Sequence, residues 1–317
     1  MSMIDHVLRE PEFRNQPLVL VDIGAAGGVH RRWRRIARQA IGVGFEPDAR
    51  DTAALAGANA RFHRWILGRH LVTPQSPDGP QVLHLTRSPQ CSSMLPPRSD
   101  RLAGWSFADF FAVEQTVHLP AESLTAALTA HGVEYIDWLK CDTQGLDLAI
   151  YRSLPAAWRE QMAVVEFEPG LIDAYLGEDK VADVLQAMQT EPFWLANVTL
   201  GKAVKGSPEQ LAAALGPRAA RWARRLGPAA PAWANLCFVR ETGLFSPPAT
   251  RRTLLAAWIG ATLMGQHGHA LELAAQGNRQ FGDSLFPRLA HASAFRLRAS
   301  MLCALPGWLW RRLSRSG

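Results

Sequence analysis

The feature that most constrains this chain is a series of short apolar segments, each ending in small or acidic residues. The first two are LVLVDIG (residues 18–24) and IGVGFEP (residues 41–47), separated by an arginine-rich segment of helix length. An apolar run without polar alternation predicts a strand buried on both faces, as in a parallel sheet covered by helices. Strands are predicted at 18–24, 41–47, 62–67, 81–86, 135–141, 162–168, 193–200 and 233–240, and helices at 30–40, 48–58, 121–131, 145–152 and 180–188.

The alternation of strands and helices indicates the fold class. Successive βα units form mostly parallel sheets with right-handed crossovers, and ligands bind in the crevice at the carboxyl ends of the strands. We expect a Rossmann-like, doubly wound α/β sheet that ends in a β-hairpin, with residues 201–232 as a helical insertion inside the hairpin. This domain covers residues 1–244, and residues 245–317 form a basic helical extension.

Positive charge is concentrated in the C-terminal extension. The net charge of the chain is +6, and residues 245–317 carry nine arginines against two acids, so the preceding body is almost neutral. No nucleic-acid-binding motif occurs, and we expect no nucleic-acid partner. Aromatic and basic residues alternate around Trp308 and Arg311. This pattern suits a helix docked on the body, or peripheral association of residues 288–315 with an anionic membrane or a glycolipid.

Cysteine spacing and hydropathy exclude several other classes of protein. The four cysteines are far apart and form no C-x-x-C pair, so neither a structural zinc site nor a disulfide framework is expected. The N-terminus lacks the apolar segment of a secretory signal. The longest apolar run, residues 254–265, is too short to span a bilayer. We expect a cytoplasmic protein, with the inner face of the membrane as a second possible location.

The first predicted strand runs into a glycine-rich turn, D-x-G-x-x-x-G, that begins at Asp22. Small residues allow a sharp turn and close approach of a ligand. Ala26 stands where a dinucleotide-binding turn needs its second glycine, so the G-x-G-x-x-G pattern is not met. The carboxylate of Asp22 would repel a phosphate and favour an ammonium group, such as the amino-acid end of S-adenosylmethionine. An ordinary strand-to-helix turn is the structural alternative.

Two further acids end predicted strands. Glu46 ends the second strand, where an acid accepts hydrogen bonds from the ribose hydroxyls of an adenosine. Asp142 ends the strand at 135–141, where desolvation could raise its pKa towards that of a general base. Asp142 or Thr143 could equally cap the following helix. An exposed surface acid is the alternative for Glu46.

Several motifs together resemble the FkbM-type methyltransferases, which are class I enzymes that depend on S-adenosylmethionine. They are VDIGAAGG, GFEPD, the serine pair of CSSM, IDWLKCDTQGLDLAIYRSL and VVEFEP. The similarity runs from about residue 18 to residue 200, and the K-x-D-x-Q-G-x-D block that starts at Lys140 is its most specific part. Ala26 departs from the family, which usually has Asn there. The insertion and the C-terminal extension have no recognised counterpart.

The resemblance implies methyl transfer from S-adenosylmethionine to a hydroxyl of a sugar, a glycan or glycolipid, or a natural product. The cofactor contacts that it implies are Asp22, Gly24, Ala25, Gly28, Glu46, Ser92, Ser93 and Asp142. Asp142 is the first candidate for the base, with His118 and His30 as alternatives. The acceptor would lie near Gln144, Glu166 and Glu168. We assign no metal ligand, although Asp142 and Glu168 could together hold a cation.

Two other functions stay open at the level of sequence. A non-catalytic protein could keep the fold and bind S-adenosylmethionine or a nucleotide without turnover. A nucleotide-sugar-dependent transferase is the second alternative, but it should carry basic or amide groups at the glycine turn, where this chain has Asp22.

Overall fold

The secondary structure is taken from a computed structural model, which describes residues 2–25, 28–50, 55, 57, 58, 60–241, 243 and 249–313, with side chains as far as residue 305. The strands are β1 (Leu18–Ile23), β2 (Ala40–Phe45), β3 (Arg64–Gly68), β4 (Leu71–Thr73), β5 (Gln81–Thr86), β6 (Val113–Leu119), β7 (Ala121–Ser123), β8 (Trp138–Cys141), β9 (Val164–Phe167), β10 (Phe193–Ala203) and β11 (Ala230–Arg240). The helices are α1 (Met3–Val7), α2 (Pro11–Asn15), α3 (Ser99–Leu102), α4 (Leu124–Thr129), α5 (Asp147–Ser153), α6 (Ala156–Gln161), α7 (Val181–Met188), α8 (Pro208–Leu226), α9 (Arg251–Leu263), α10 (His267–Phe281) and α11 (Leu285–Leu313).

Seven of these strands form the central sheet, in the order β10-β11-β9-β8-β1-β2-β3. Strands β9, β8, β1, β2 and β3 are parallel, whereas β10 and β11 form an antiparallel hairpin at the edge. The predicted α/β fold with a mostly parallel sheet and a terminal hairpin is therefore confirmed. The chain leaves β1 towards β2 and β3 on one side and later returns to β8 on the other, which places a ligand crevice at the carboxyl ends of β1 and β8.

Each face of the sheet is covered by helices, as its uninterrupted apolar strands require. Val21 and Leu139 belong to the core that contains side chains of α4, α5 and α7. Leu20 and Trp138 belong to the opposite core, which contains side chains of α1, α9, α10 and the start of α11. The first part of the C-terminal extension therefore shares one hydrophobic core with the body.

The connections between the strands differ from the sequence expectations. The helix predicted over residues 30–40 is replaced by two 3-10 helices, Trp33–Arg35 and Ala37–Gln39. Arginines three and four positions apart repel each other in an α-helix, which explains the difference. The strand at 81–86 is confirmed, but β5 pairs with β6 outside the central sheet. Much of the helix predicted over 48–58 lies outside the described residues.

The predicted helical insertion is α8, which is interrupted at Gly216 by a φ of 76°. After the hairpin, α9 packs directly on the sheet. A Cβ atom at Gly260 would lie only 2.7 Å from the Cγ2 atom of Val164, so glycine is needed for this close approach. None of the described helices is long and apolar enough to cross a membrane.

A buried ion pair joins α9 to the sheet. Arg252 donates to both carboxylate oxygens of Asp137, at 2.8 and 2.9 Å, and its side chain is 10% exposed. It also donates to the carbonyl oxygens of Gln16 and Pro17. Asp137 in turn accepts a hydrogen bond from the backbone N–H of Val19, at the start of β1. The pair thus connects the C-terminal helices, the N-terminal segment and two strands.

Replacing Arg252 with leucine should lower the free energy of unfolding by about 3–5 kcal/mol, because it leaves the Asp137 carboxylate buried without its cation. Urea unfolding followed by circular dichroism measures the change. Arg279, an exposed arginine on α10, is the control, and Arg279→Leu should change the same free energy by about 0.5 kcal/mol or less. Equal stability of the Arg252→Leu variant and the wild type would show that the pair does not anchor α9.

Candidate active site

A cavity of about 1050 Å³ opens at the carboxyl ends of the central strands. Its floor is formed by residues that directly follow four neighbouring parallel strands: Gly24 after β1, Glu46 after β2, Asp142 after β8 and Glu168 after β9. The volume is close to the upper end of the range for ligand pockets, about 300–1,000 Å³. The cavity lies at the switch point of the sheet, where ligand sites of such folds occur.

Gly24 allows the ends of β1 and β8 to meet. Its φ is 76°, and a Cβ atom there would lie 2.0 Å from the carbonyl oxygen of Asp142. The backbone N–H groups of Gly24 and Ala25 both donate to the carbonyl oxygen of Phe45. Ala25 and Gly28 do not line the cavity. Among the cofactor contacts predicted from the glycine turn, Gly24 is therefore the residue that lines the cavity.

Lys140 is enclosed by carboxylates. Its ammonium group donates to Oδ1 of Asp22 at 2.9 Å and lies 3.9 Å from Oδ2 of Asp142. Burial lowers the pKa of Lys140, but the carboxylates of Asp22 and Asp142 outweigh this effect and raise it above its ordinary value. Asp22 is only 3% exposed and does not line the cavity. Its carboxylate therefore binds Lys140 rather than facing the cavity.

The loop after β2 holds a second acid that the sequence interpretation missed. Asp48 is 4% exposed, and its carboxylate accepts hydrogen bonds from the Arg50 guanidinium. Burial raises the pKa of Asp48, but these hydrogen bonds lower it below its usual value. Oε1 of Glu46 accepts the backbone N–H of Asp48 at 2.9 Å, which fixes the Glu46 side chain. The position of Asp48, two residues after Glu46, is the sequence signal that could have identified it as a site residue.

The predicted serine pair lines the cavity and anchors its wall. The Ser92 hydroxyl accepts the backbone N–H of Thr86 and lies 3.4 Å from Oδ2 of Asp48. The Ser93 hydroxyl donates to the carbonyl oxygen of Gln144 at 2.9 Å. Because these bonds connect the loop to the strand ends, both serines have a positioning role in the structure.

Asp142 and Glu168 form a pair of neighbouring acids on the cavity floor. Burial, the charge of Asp142 and a hydrogen bond with Asp142 together raise the pKa of Glu168 to about 8, against the opposing effect of Lys140. Nε2 of Gln144 donates to Oδ1 of Asp142 at 2.6 Å. The Glu168 carboxyl of this pair therefore holds a proton at neutral pH.

Gln144, Tyr175 and Asp147 hold this pair in place. Gln144 has a φ of 58°, a left-handed conformation that is uncommon for residues other than glycine and often occurs at functional sites. The Tyr175 hydroxyl lies 3.0 Å from Oε1 of Gln144 and supports its side chain. Asp147 accepts hydrogen bonds from the backbone N–H groups of Thr143 and Glu168, at 2.8 and 2.9 Å. It thereby ties the end of β8 to the end of β9.

Besides Asp22, Ala25 and Gly28, two further predicted residues, His118 and Glu166, do not line the cavity. His118 is exposed on β6, opposite Val82 in the small β5–β6 sheet. Glu166 lies within β9 and accepts the indole N–H of Trp138 at 2.7 Å. His30, the other histidine considered, is 3.9 Å from Glu166 and also lies outside the cavity lining. Burial and neighbouring cations lower the pKa of His30 to about 3, so it is uncharged at neutral pH.

The opposite wall of the cavity comes from the insertion, to which the sequence interpretation assigned no site residue. Side chains of α8 that line the cavity are Arg218, Arg221, Trp222, Arg224 and Arg225. No sequence motif surrounds these arginines, so the sequence alone did not indicate that they line a site. Among the described residues, no group of three or more His, Cys, Asp or Glu side chains is arranged to hold a metal ion.

Comparison with known proteins adds no identification to this geometry. A scan of the chain against models of protein families finds no matching family, and a search of curated proteins finds no significant relative.

Proposed function

We propose that this protein is a class I methyltransferase that transfers a methyl group from S-adenosylmethionine to a hydroxyl of a sugar, a glycan or glycolipid, or a natural product. One observation carries the proposal. Gly24, Glu46 and Asp142, which follow three adjacent strands, line one cavity at the switch point of the sheet. The sequence resemblance independently assigns cofactor contacts to the same three residues. The hairpin at the edge of the sheet also agrees with that resemblance.

The residues of the cavity fit the parts of this cofactor. Glu46 is 6% exposed and stands where an acid accepts hydrogen bonds from both ribose hydroxyls. Gly24 keeps side-chain atoms away from the strand ends. S-adenosylmethionine supplies a methyl group on a positively charged sulfur, and the acids of the floor suit that charge. Because Asp22 binds Lys140, we assign the contact with the cofactor's cationic end to Asp142 instead.

Asp142 is the residue that we assign as the base. Its side chain is 22% exposed at the cavity, and Gln144 and Lys140 fix its orientation. A carboxylate held within reach of a hydroxyl can accept its proton, and such general-base catalysis contributes about 10²–10⁴-fold to a rate. Glu168 holds a proton at neutral pH and forms a hydrogen bond with Asp142. Closely held reactants supply much of the remaining acceleration.

One observation favours a nucleotide-sugar-dependent transferase as the second candidate. The arginines of α8 present cations to the cavity, and such groups bind pyrophosphate well. No basic group replaces the acids at the described part of the glycine turn, however, and Glu46 and Asp142 would repel a pyrophosphate placed on the floor. We therefore rank this function below methyl transfer and test both with the same protein.

Calorimetric titration with S-adenosylhomocysteine tests the cofactor assignment. The wild type should bind it, and Glu46→Ala should weaken binding by about tenfold or more, because the variant removes the acceptor of the ribose hydrogen bonds. Glu134→Ala is the matched control, since Glu134 is exposed and does not line the cavity. Binding of UDP-glucose without binding of S-adenosylhomocysteine would reject the proposal in favour of the transferase.

The acid pair predicts an unusual titration. In the wild type the Glu168 side-chain carboxyl should titrate near pH 8. Asp142→Asn should move this midpoint to lower pH, because the neutral amide no longer repels a negative charge on Glu168. Carbon-13 NMR of the glutamate carboxyl groups measures both values, with Glu168→Gln used to assign the signal. An unchanged midpoint in Asp142→Asn would show that the two acids are not coupled.

We also propose that the C-terminal part of α11 associates with an anionic membrane surface. Phe295, Met301, Leu302 and Leu305 are 47–70% exposed on this helix, and Arg298 is exposed among them. Exposed apolar and basic residues on one helix are typical of interfacial binding. The side chains of Trp308 and Arg311, which the sequence pattern emphasises, lie outside the described residues.

Sedimentation with vesicles tests this association. The full-length protein should sediment with phosphatidylglycerol vesicles, and the double variant Met301→Glu/Leu302→Glu should sediment several-fold less, because it removes exposed apolar area and adds negative charge. The variant keeps the core, since neither residue is buried. Vesicles of phosphatidylcholine alone are the control for charge. Failure of the wild type to sediment with anionic vesicles would reject the proposal.

A further inference from the structure

The inserted helix α8 places a row of cations along the cavity whose floor carries the acids. Arg218, Arg221 and Arg225 follow each other at spacings of three and four residues and share one helix face with Trp222. All four line the cavity. With a rise of about 1.5 Å per residue, the three arginines extend over about 10 Å of the wall. Lys202, at the end of β10, adds a further cation to the lining.

These cations differ from the neighbouring Arg224, which has a structural partner. Arg224 lies 3.2 Å from Oδ2 of Asp109. Within the part of the chain that the structure describes, no carboxylate lies within 4.0 Å of the guanidinium groups of Arg218, Arg221 or Arg225. Their charge is thus available to a ligand, whereas that of Arg224 holds the helix.

The ion pair of Arg224 with Asp109 holds α8 itself, and further contacts hold the segment that leads into it. The ammonium group of Lys205, in that segment, lies 4.5 Å from the centre of the Trp105 ring. The backbone N–H of Ser106 donates to the carbonyl oxygen of Val204 at 3.0 Å. The break at Gly216 then sets the direction of the half of α8 that carries the arginines.

From this arrangement we infer that the methyl acceptor carries a phosphate group, which the arginines of α8 bind. The inference rests on the proposed function and names its class of substrate. A phosphate presents about two negative charges and several acceptor oxygens, which guanidinium groups bind through paired hydrogen bonds. Trp222 and Trp233 lie in the same lining and offer aromatic faces for the rest of the acceptor.

The separation of charge also orients the acceptor. Asp142 and Glu168 on the floor repel a phosphate, whereas α8 attracts it, so the hydroxyl of the acceptor is directed to the acids. The acceptor oxygen forms its bond to the methyl carbon as the carbon–sulfur bond breaks. The electron pair of that bond stays on sulfur, which becomes neutral, and the hydroxyl proton passes to the carboxylate of Asp142. One proton and one methyl group are therefore accounted for.

The test compares three small probes in calorimetric titrations, with and without saturating S-adenosylhomocysteine. They are glucose 6-phosphate, glucuronate and methyl glucoside, which differ in carrying a phosphate, a carboxylate or no charge. The wild type should bind glucose 6-phosphate about tenfold or more tightly than methyl glucoside, and more tightly than glucuronate. This preference should decrease as salt concentration rises. Phosphatidylglycerol vesicles, added in place of glucose 6-phosphate, distinguish a lipid phosphate from a soluble one.

The triple variant Arg218→Gln/Arg221→Gln/Arg225→Gln should lose the preference for phosphate and keep the affinity for S-adenosylhomocysteine. Its control is Arg14→Gln/Arg152→Gln/Arg279→Gln, which removes the same charge from exposed positions outside the cavity and should retain the preference. Equal binding of the charged and neutral probes by the wild type, or an unchanged preference in the triple variant, overturns the inference. Equal binding of glucuronate overturns the choice of phosphate.

Failure of the proposed function gives a different result. In that case the wild type does not bind S-adenosylhomocysteine, while the titrations without it still report whether the arginines of α8 bind phosphate. If the wild type binds phosphatidylglycerol vesicles through these arginines but not glucose 6-phosphate, the phosphate belongs to a lipid acceptor. If S-adenosylhomocysteine binds and every phosphate probe fails, methyl transfer stands and the inference about the acceptor is rejected.

Discussion

The site depends on the compensation of charge around Lys140. Five acids lie in or next to the carboxyl ends of β1, β2, β8 and β9, namely Asp22, Glu46, Asp142, Glu166 and Glu168. The sheet register places Lys140 between Asp22 and Glu166 on neighbouring strands, and its ammonium group also reaches Asp142. Burying several carboxylates together costs free energy unless a cation compensates their charge. Lys140 therefore allows several acids to lie close together at the carboxyl ends of the strands. Because Lys140 lies within β8 and does not line the cavity, the cavity itself stays open.

One or two positions along a strand decide whether an acid is structural or faces the cavity. Asp22 lies within β1 and binds Lys140, and Glu166 lies within β9 and binds Trp138, so neither carboxylate faces the cavity. Asp142 and Glu168 follow the last residues of their strands and line the cavity. The ends of strands predicted from a sequence are defined only to about two to four residues, which is no finer than this difference. Sequence reasoning therefore selected all four acids as site residues, whereas the structure places Asp142 and Glu168 in the cavity lining and Asp22 and Glu166 outside it.

The central strands could be predicted because their burial on both faces produces uninterrupted apolar runs, as in residues 18–24 and 41–47. The pairing of β5 with β6 could not, since it joins segments about 30 residues apart and depends on contacts that leave no local pattern. This pairing puts His118 on an exposed edge. The helical insertion was recognisable from its composition, but the direction of its arginines is set by Gly216 and by the contact of Arg224 with Asp109. Neither is visible without the fold.

The cavity thus combines two parts with different physical constraints. The floor is made by strand ends, where a change in Gly24 or Asp147 would alter the packing of the sheet itself. The wall is made by α8, where Arg218, Arg221 and Arg225 are exposed and carry little of the fold's stability. Such a wall can change its charge without a change in the core, as is typical of binding residues on surface segments held by a rigid scaffold. For the function that we propose, the sheet would supply the chemistry of methyl transfer and the insertion would select the acceptor.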